Sequence, residues 1–432
     1  MVQHHYTGDG DKPTKQAEIV RMKFGQKGLH VPTPAARPGD TPDFSRLKFA
    51  DAGEVKRPDP SVEARKTFDL AFDLIRVLDD DGKAVGEWAP KIDPEILRKG
   101  LAHMMKVRTY DARMLRMHRQ GKMSFYMTST GEEAVAVAAG MALRDEDMLF
   151  PSYRQQGLHV LRGADLVDMA SHCMSNARDN LMGRQLPVHY TRADLNLFSI
   201  SGNLCTQFPQ AVGWGMASAY KGESAIAASW IGEGSSAEGD FHTACTMAGV
   251  YHAPVILNVV NNQWAISSYQ GIAGGDETTF ASKAIGYGIP GLRVDGNDFL
   301  AVWAATEWAA ERARKGLGAT LMELVTYRAG AHSTSDDPAR YRPKDEGEAW
   351  PLGDPIDRLK THLIALGEWS QEQHEQLEAQ HIDEVQKALK EAESYGSLAD
   401  HKSVPAETMF DDIFKEMPKN LIRQREEFLS HR

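Results

Sequence analysis

Between residues 225 and 328 the chain twice passes from a short apolar run through a helical stretch to a second apolar run, and few folds accommodate that alternation. "AIAASWIG" (225–232) is apolar, "SAEGDFHTACTMAGVYH" carries Ser and acid at its start as helix N-termini do, and "PVILNVV" (254–260) is apolar again. "GLRVDG", the helical "DFLAVWAATEWAAERARKG" and "TLMELVTYR" repeat the pattern. Parallel neighbours need a crossover connection, usually a helix, and are buried on both faces, so their strands read as continuous apolar runs. The expected fold class is therefore α/β: a doubly wound, mostly parallel sheet with helices on both faces.

The flanks read differently. Residues 1–65, with "GLHVPTPAARPGDTPDFSRLKF", are rich in Pro, Gly and charge, which predicts an extended arm that orders by lying on another surface. Asp81-Gly82 between two apolar runs predicts a tight hairpin. From Pro94 to Gln120 the residues Ile96, Leu97, Leu101, Met104, Met105 and Val107 recur at helical spacing, and "GEEAVAVAAGMAL" predicts a second helix. The expected division is an arm over 1–65, a ligand-binding domain over 66–350 and a charged helical tail over 351–432, with no internal repeats and no candidate chemistry in the tail.

Charge and cysteine content exclude several function classes. A net charge of -11 argues against nucleic acid or an anionic membrane as partner, since both need excess Lys and Arg. No stretch approaches the ~20 apolar residues of a membrane span, and the start lacks the apolar core of a secretory signal. Three scattered cysteines, Cys173, Cys205 and Cys245, are too few for a disulfide framework or a zinc cluster; they predict buried thiols in a reducing compartment, by default the cytoplasm.

In a doubly wound sheet, ligands bind at the carboxyl ends of the strands. Glu233, in the glycine-rich "IGEGSSAEGD", follows the first apolar run, Asn261-Asn262 follows the next, and "AGAHSTSDD" follows the last. One strand-helix-strand unit brings Glu233 and Asn262 side by side. A carboxylate is out of place in a loop built for phosphate alone. It suits one that holds Mg²⁺, which takes one or two protein oxygens and completes its shell with phosphate and water. G-E-G alone is commonly a strand-to-helix turn; paired with N-N across a crossover helix it points to a metal site.

"GEGSSAEGD…NVVNNQWAIS" resembles the G-D/E-G…N-N fingerprint of thiamine diphosphate enzymes. Over about residues 65–350 the chain resembles the alpha subunits of the decarboxylating dehydrogenase component of 2-oxo acid dehydrogenase complexes. "RQGKMSFYMTSTGEEA", "PSYRQQG", "GRQLPVHY" and "AHSTSDDPARYR" resemble the branched-chain type, and Thr334 with Asp336-Asp337 departs from the R-G-H-S-M-S-D-P form of the pyruvate type. The resemblance implies thiamine diphosphate and Mg²⁺ as cofactors. It implies Glu233 and Asn262 as side-chain metal ligands, with the Trp264 carbonyl beside them, and Gly234 and Ser235 as backbone donors to the diphosphate. Tyr153 and Arg154 reach the diphosphate, a task for which a planar guanidinium is suited. His332 becomes the active-site histidine that assists acyl transfer, with Arg328 and Ser333 grouped with it as catalytic residues. Ser201, Asn203, Thr206 and Gln207 in "SGNLCTQ" resemble a potassium-stabilised loop, with Gly202 and Leu204 against the cofactor. Phe125, Met127 and Tyr153 are the candidates for an acyl pocket.

Two departures stand out: Val260 occupies the place of a phosphate-binding arginine of several relatives, and Gly202 that of a common serine. The resemblance further implies oxidative decarboxylation of branched-chain 2-oxo acids and reductive acylation of a lipoyl group. The partners implied are a beta subunit in an alpha2beta2 heterotetramer, the lipoyl domain and acyltransferase core, and the 2-oxo acid. The cofactor is activated in such enzymes by a glutamate from a second sheet domain, which this sequence shows no sign of. Pyruvate or acetoin as substrate, or a noncatalytic metal-nucleotide binding or regulatory subunit, are the alternatives.

Overall fold

A computed structural model describes residues 23–24, 27–28, 30–398, 405–411 and 413–431. Five strands form one sheet: β1 (Met148–Phe150), β2 (Ala227–Gly232), β3 (Val255–Asn261), β4 (Gly291–Asp295) and β5 (Thr320–Val325). They pair in the order β1-β2-β3-β5-β4, all parallel. The order reverses between β3 and β5, so β2 and β3, which precede Glu233 and Asn262, lie inside the sheet.

Period-two alternation along the strands sorts side chains onto two covered faces. Ala228, Trp230, Ile256, Val260, Met322 and Leu324 meet the helices α2 (Glu133–Ala142) and α7 (Phe299–Arg314), which follow α1 (Pro94–Arg119) and frame one core cluster. Ala227, Ile231, Val255, Leu257, Val259 and Leu321 face α5 (Gln207–Lys221) and α6 (Gly239–Val250). Between β1 and α5 lie α3 (Gln156–Leu161) and α4 (Leu166–Met174). The α/β layering read from the sequence is present, and all three cysteines are free and buried.

The C-terminal tail contains α8 (Pro355–Ala365), α9 (Gln371–Ser394) and α10 (Lys419–Ser430). Val385, Leu389 and Ala392 of α9 enter the cluster that α1 and α4 share, and Arg358 of α8 pairs with the buried Asp295 at 2.7 Å. This part of the tail is fixed to the domain.

The expected hairpin at Asp81-Gly82 forms as a short one: Leu78 bridges antiparallel to Ala84, Asp79 N–H donates to Lys83 O at 3.0 Å, Val85 N–H donates to Val77 O at 2.9 Å, and Gly82 takes φ 76°. Its first arm also ties the hairpin to the domain: Ile75 bridges in parallel to Val294 at the sheet edge, and the amides of Val77 and Leu78 donate to Asp298 Oδ2 at 2.8 and 2.6 Å. Residues 30–65 lie on their own chain, with Phe44 and Phe49 edge-on to Trp350 and with the Trp88, Trp308 and Arg312 side chains donating to the carbonyls of Lys56, Pro58 and Pro60. Apart from 23–24 and 27–28, the arm before residue 30 lies outside the described residues.

Asp298 is the most heavily used of these anchors. Fully buried, it caps α7 through Leu300 N and Ala301 N, takes both amides of the 77–78 arm and faces Arg358. Asp298→Ala is expected to destabilise the chain by about 3–5 kcal/mol, the cost of breaking a buried charged network, read as a lowered urea midpoint with an unchanged slope.

Candidate active site

Four of the five strands deliver polar residues from their carboxyl ends to one buried cluster. Tyr153 and Arg154 come after β1, Glu233 opens the turn after β2, Asn262 follows β3, and Arg328 and His332 follow β5. The register that pairs Gly232 with Val260 sets Glu233 and Asn262 at one level, where Asn262 N–H faces Glu233 Oε2 at 3.4 Å. A Cβ on Gly234 would come 2.5 Å from the Ala265 Cβ, so this turn packs against the next loop only with glycine there.

The acidic side of the cluster lacks a full set of partners. Glu233 is 1% exposed and its Oε1 has no hydrogen-bond partner. Asn262 donates from Nδ2 to Glu132 Oε1 at 2.8 Å, leaving its Oδ1 with a long contact to Trp264 N at 3.3 Å. Burial pushes the carboxyls of Glu132 and Glu233 up to about 7, against the pull of Arg154 on the first and Arg328 on the second. Two buried carboxylates beside an amide oxygen, one with an unshared oxygen, form a donor set of hard oxygens suited to a divalent cation.

The basic side is built on two guanidiniums. Arg154 donates to Thr128 O at 2.5 Å and His332 O at 3.0 Å, and its Nε lies 3.5 Å from Glu132. Arg328, 1% exposed, donates to Trp264 O at 2.7 Å, Ile266 O at 2.8 Å and the Tyr341 hydroxyl at 2.8 Å. Gln263 and Ile266 take left-handed φ values of 75° and 55°, conformations costly for non-glycine residues that persist where the surroundings enforce them. The turn they form carries both carbonyls that Arg328 holds.

His332 sits between the guanidiniums, each 3.3 Å from its Nδ1. Burial, then Arg154 and Arg328, lower the imidazole to about 3, so it is neutral at physiological pH. With donors converging on Nδ1, the hydrogen resides on Nε2. Asp336 steadies the loop, accepting from His332 N at 2.8 Å and from the Tyr341 hydroxyl at 2.6 Å. Tyr153 lies edge-on to His332 and parallel to His189, with ring centroids 5.9 and 6.3 Å away.

The structure thus brings together Tyr153, Arg154, Glu233, Asn262, Trp264, Arg328 and His332, with Gly234 in the packed turn. Ser333 is buried next to His332, where its Oγ accepts from Ser335 N at 3.2 Å. Met127 is buried and Phe125 packs beside it in the cluster under the loop. Gly202 lies against His189, whose ring a Cβ there would meet at 3.6 Å, and Leu204 is 50% exposed. In the same loop Asn203 N donates to Ser201 Oγ, Thr206 Oγ1 donates to Asn203 O, and the Gln207 Oε1 is buried without a partner. Val260, the residue read as standing in an arginine's place, belongs to the apolar core.

Sequence reading missed Glu132, Asp336, Tyr341 and His189. Glu132 lies in the quoted "GEEA", where acid at a helix start has an ordinary explanation; only the fold shows it facing Asn262. Asp336 and Tyr341 act through His332 and Arg328, and no spacing rule announces that.

Known proteins resemble the chain over most of its length. A family model described as "Dehydrogenase E1 component" matches residues 102–400, and one described as "2-oxoisovalerate dehydrogenase E1 alpha subunit N terminal" matches residues 27–65. The chain is 59% identical over 399 residues to the 2-oxoisovalerate dehydrogenase subunit alpha of Pseudomonas aeruginosa, covering 92% of this chain and 97% of that one. It is 36% identical over 365 residues to the mitochondrial 2-oxoisovalerate dehydrogenase subunit alpha of Mus musculus, covering 83% and 80%. With the mitochondrial subunit alpha 2 of Arabidopsis thaliana the identity is 36% over 415 residues, covering 96% and 83%.

The unshared Glu233 oxygen has a measurable consequence for stability. Glu233→Gln removes a buried charge without changing shape, and is expected to stabilise the cofactor-free chain by about 1–3 kcal/mol, the usual penalty of an unsatisfied buried polar group. Equal or lower stability in urea unfolding would show that the carboxylate has partners of its own.

Proposed function

The chain belongs to the dehydrogenase E1 component family, and on that premise we propose that it is the alpha half of a thiamine diphosphate enzyme for branched-chain 2-oxo acids. It catalyses their oxidative decarboxylation, with acyl transfer to a lipoyl group, once joined by a beta subunit. The observation that carries this reading is the buried set Glu132, Glu233 and Asn262, with an unshared carboxylate oxygen, facing the two guanidiniums around His332.

Mg²⁺ would be held by Glu233 Oε1, Asn262 Oδ1 and the Trp264 carbonyl, whose second lone pair remains available beside Arg328. Tyr153 and Arg154, with the backbone N–H groups of Gly234 and Ser235, would hold the diphosphate. The buried Gln207 oxygen supports a potassium ion at the 201–207 loop. Thiamine diphosphate held there would supply the carbanion nucleophile and the electron sink that decarboxylation of a 2-oxo acid requires. The two electrons released as the keto carbon reaches the acyl level reduce the lipoyl disulfide.

The chain's own residues orient these groups. His332, neutral and protonated at Nε2, can donate a hydrogen bond there where the acyl group is handed over, while the guanidiniums on Nδ1 keep the tautomer fixed. Arg328 locks the 264–266 turn and so the Trp264 carbonyl. Phe125, Met127 and Tyr153 border the acyl chain, and burial of the cluster keeps water from the reacting carbon.

A partner chain completes the site. Among the described residues the sheets other than the five-stranded one are two-stranded, which supports placing the activating carboxylate on a beta subunit. An alpha2beta2 assembly that docks onto the acyltransferase core and its lipoyl domain follows from the same reading. No described helix is long and apolar enough to cross a membrane, and with the net charge of -11 this supports a cytosolic location.

Turnover of a panel of 2-oxo acids tests the proposal. Assembled with its partner, thiamine diphosphate and Mg²⁺, the chain is expected to favour 3-methyl-2-oxobutanoate over pyruvate by at least roughly tenfold in kcat/KM, the discrimination small apolar groups provide. Alone, it is expected to be inactive. A preference for pyruvate or acetoin would overturn the substrate assignment, and robust turnover by the isolated chain would overturn the two-chain site.

A further inference from the structure

Beneath the candidate site, α1 carries a carboxylate that the chemistry above does not use. Asp111 is 1% exposed and has no cationic partner among the described residues. Each of its oxygens accepts two hydrogen bonds. Oδ1 takes the Tyr126 hydroxyl at 2.7 Å and Gln156 Nε2 at 3.0 Å, while Oδ2 takes Ser129 N at 2.7 Å and Ser129 Oγ at 2.9 Å. Burying a carboxylate among neutral donors is expensive, and such expense is characteristic of functional or specifying positions rather than of plain core.

All four donors bear on one loop. Tyr126 and Ser129 belong to it, and Gln156 shares its amide between Asp111 and Met127 O at 3.0 Å. One helical turn earlier on α1, Arg108 grips Glu133 with two bonds of 2.7 and 2.8 Å, and Glu133 Oε2 in turn accepts from Gly131 N at 3.0 Å. α1 therefore holds both ends of the 126–131 stretch from below. From above, Thr334 exchanges two bonds of 3.0 Å with the Tyr126 backbone, and Arg154 holds Thr128 O. Thr334 and Arg154 adjoin His332. The distance from α1 to the His332 loop is thus bridged by a single segment, and Asp111 fixes where Tyr126, and with it Phe125 and Met127, lies along that bridge.

We propose that Asp111 is a positioning residue for substrate selectivity: by clamping Tyr126 and Ser129 it sets the Phe125–Met127 wall against which the acyl chain of a branched 2-oxo acid packs. This rests on the reading of that wall as the acyl pocket. A displacement of an ångström in a positioning segment is enough to alter rates substantially, and the clamp works only as a carboxylate. In Asp111→Asn an amide N–H₂ would meet donors, so at least one of the four bonds is lost. Tyr126→Phe removes a single donor and leaves the rest of the core unchanged.

The test uses the chain assembled with its partner and cofactors, comparing wild type, Asp111→Asn and Tyr126→Phe. Three quantities are measured: kcat/KM for 3-methyl-2-oxobutanoate and for pyruvate, thiamine diphosphate affinity by calorimetry, and amide hydrogen exchange of the 124–131 segment. The expected result is a selectivity ratio lowered on the order of tenfold and faster exchange confined to 124–131, with cofactor affinity at the wild-type value. An unchanged ratio in both variants, or a loss equal for both substrates that tracks lost cofactor affinity, would overturn the proposal. If Asp111→Asn fails to assemble, Tyr126→Phe decides by the same criteria. A wild-type complex that turns over neither acid would overturn the functional reading instead, and exchange at 124–131 would then judge the clamp alone.

Discussion

Gly232 and Val260 are paired across adjacent parallel strands, and that register is the constraint on which the site depends. Parallel strands place their carboxyl ends at one edge of the sheet, so residues distant in sequence converge there without any long excursion of the chain. The two apolar faces of the sheet, covered by α2 and α7 on one side and α5 and α6 on the other, hold β2 and β3 in place. Slipping the pair by one residue would turn Trp230 and Val260 toward the wrong face, so core packing enforces the alignment of Glu233 with Asn262.

Electrostatics in the cluster follow from that convergence. Burial alone would neutralise Glu132 and Glu233, and it does raise both. Arg154 and Arg328 pull the other way while depressing His332, so one pair of guanidiniums favours ionised carboxylates and a neutral imidazole together. The strained turn at Gln263 and Ile266 belongs to the same economy: its two carbonyls anchor Arg328, and Arg328 orients His332. A divalent cation at Glu233 Oε1 would relieve the remaining imbalance.

Much of this was legible in the sequence because its signals are local. The short apolar runs, the crossover helices and the residues that follow each run are all read from short windows, and they located Glu233, Asn262 and the loop that carries His332. Contacts whose partners are remote in sequence were illegible. Asp298 claims the amides of Val77 and Leu78 and so fixes the hairpin to α7; Trp350 and Arg312 claim the arm; Asn262 turns Glu132 from a helix-start acid into a member of the site. Gly202 and Leu204 were assigned by resemblance alone; Gly202 lies against His189 and Leu204 is half exposed.

On the proposed reading, the carboxyl ends of β2 and β3 form one metal-dependent anchor for the diphosphate. The decisive measurement is calorimetric titration of thiamine diphosphate into the assembled complex, with and without Mg²⁺. Tight binding is expected only with Mg²⁺ present, and Glu233→Ala is expected to lose that dependence. Unchanged affinity and unchanged Mg²⁺ dependence in the variant would rule out the anchor.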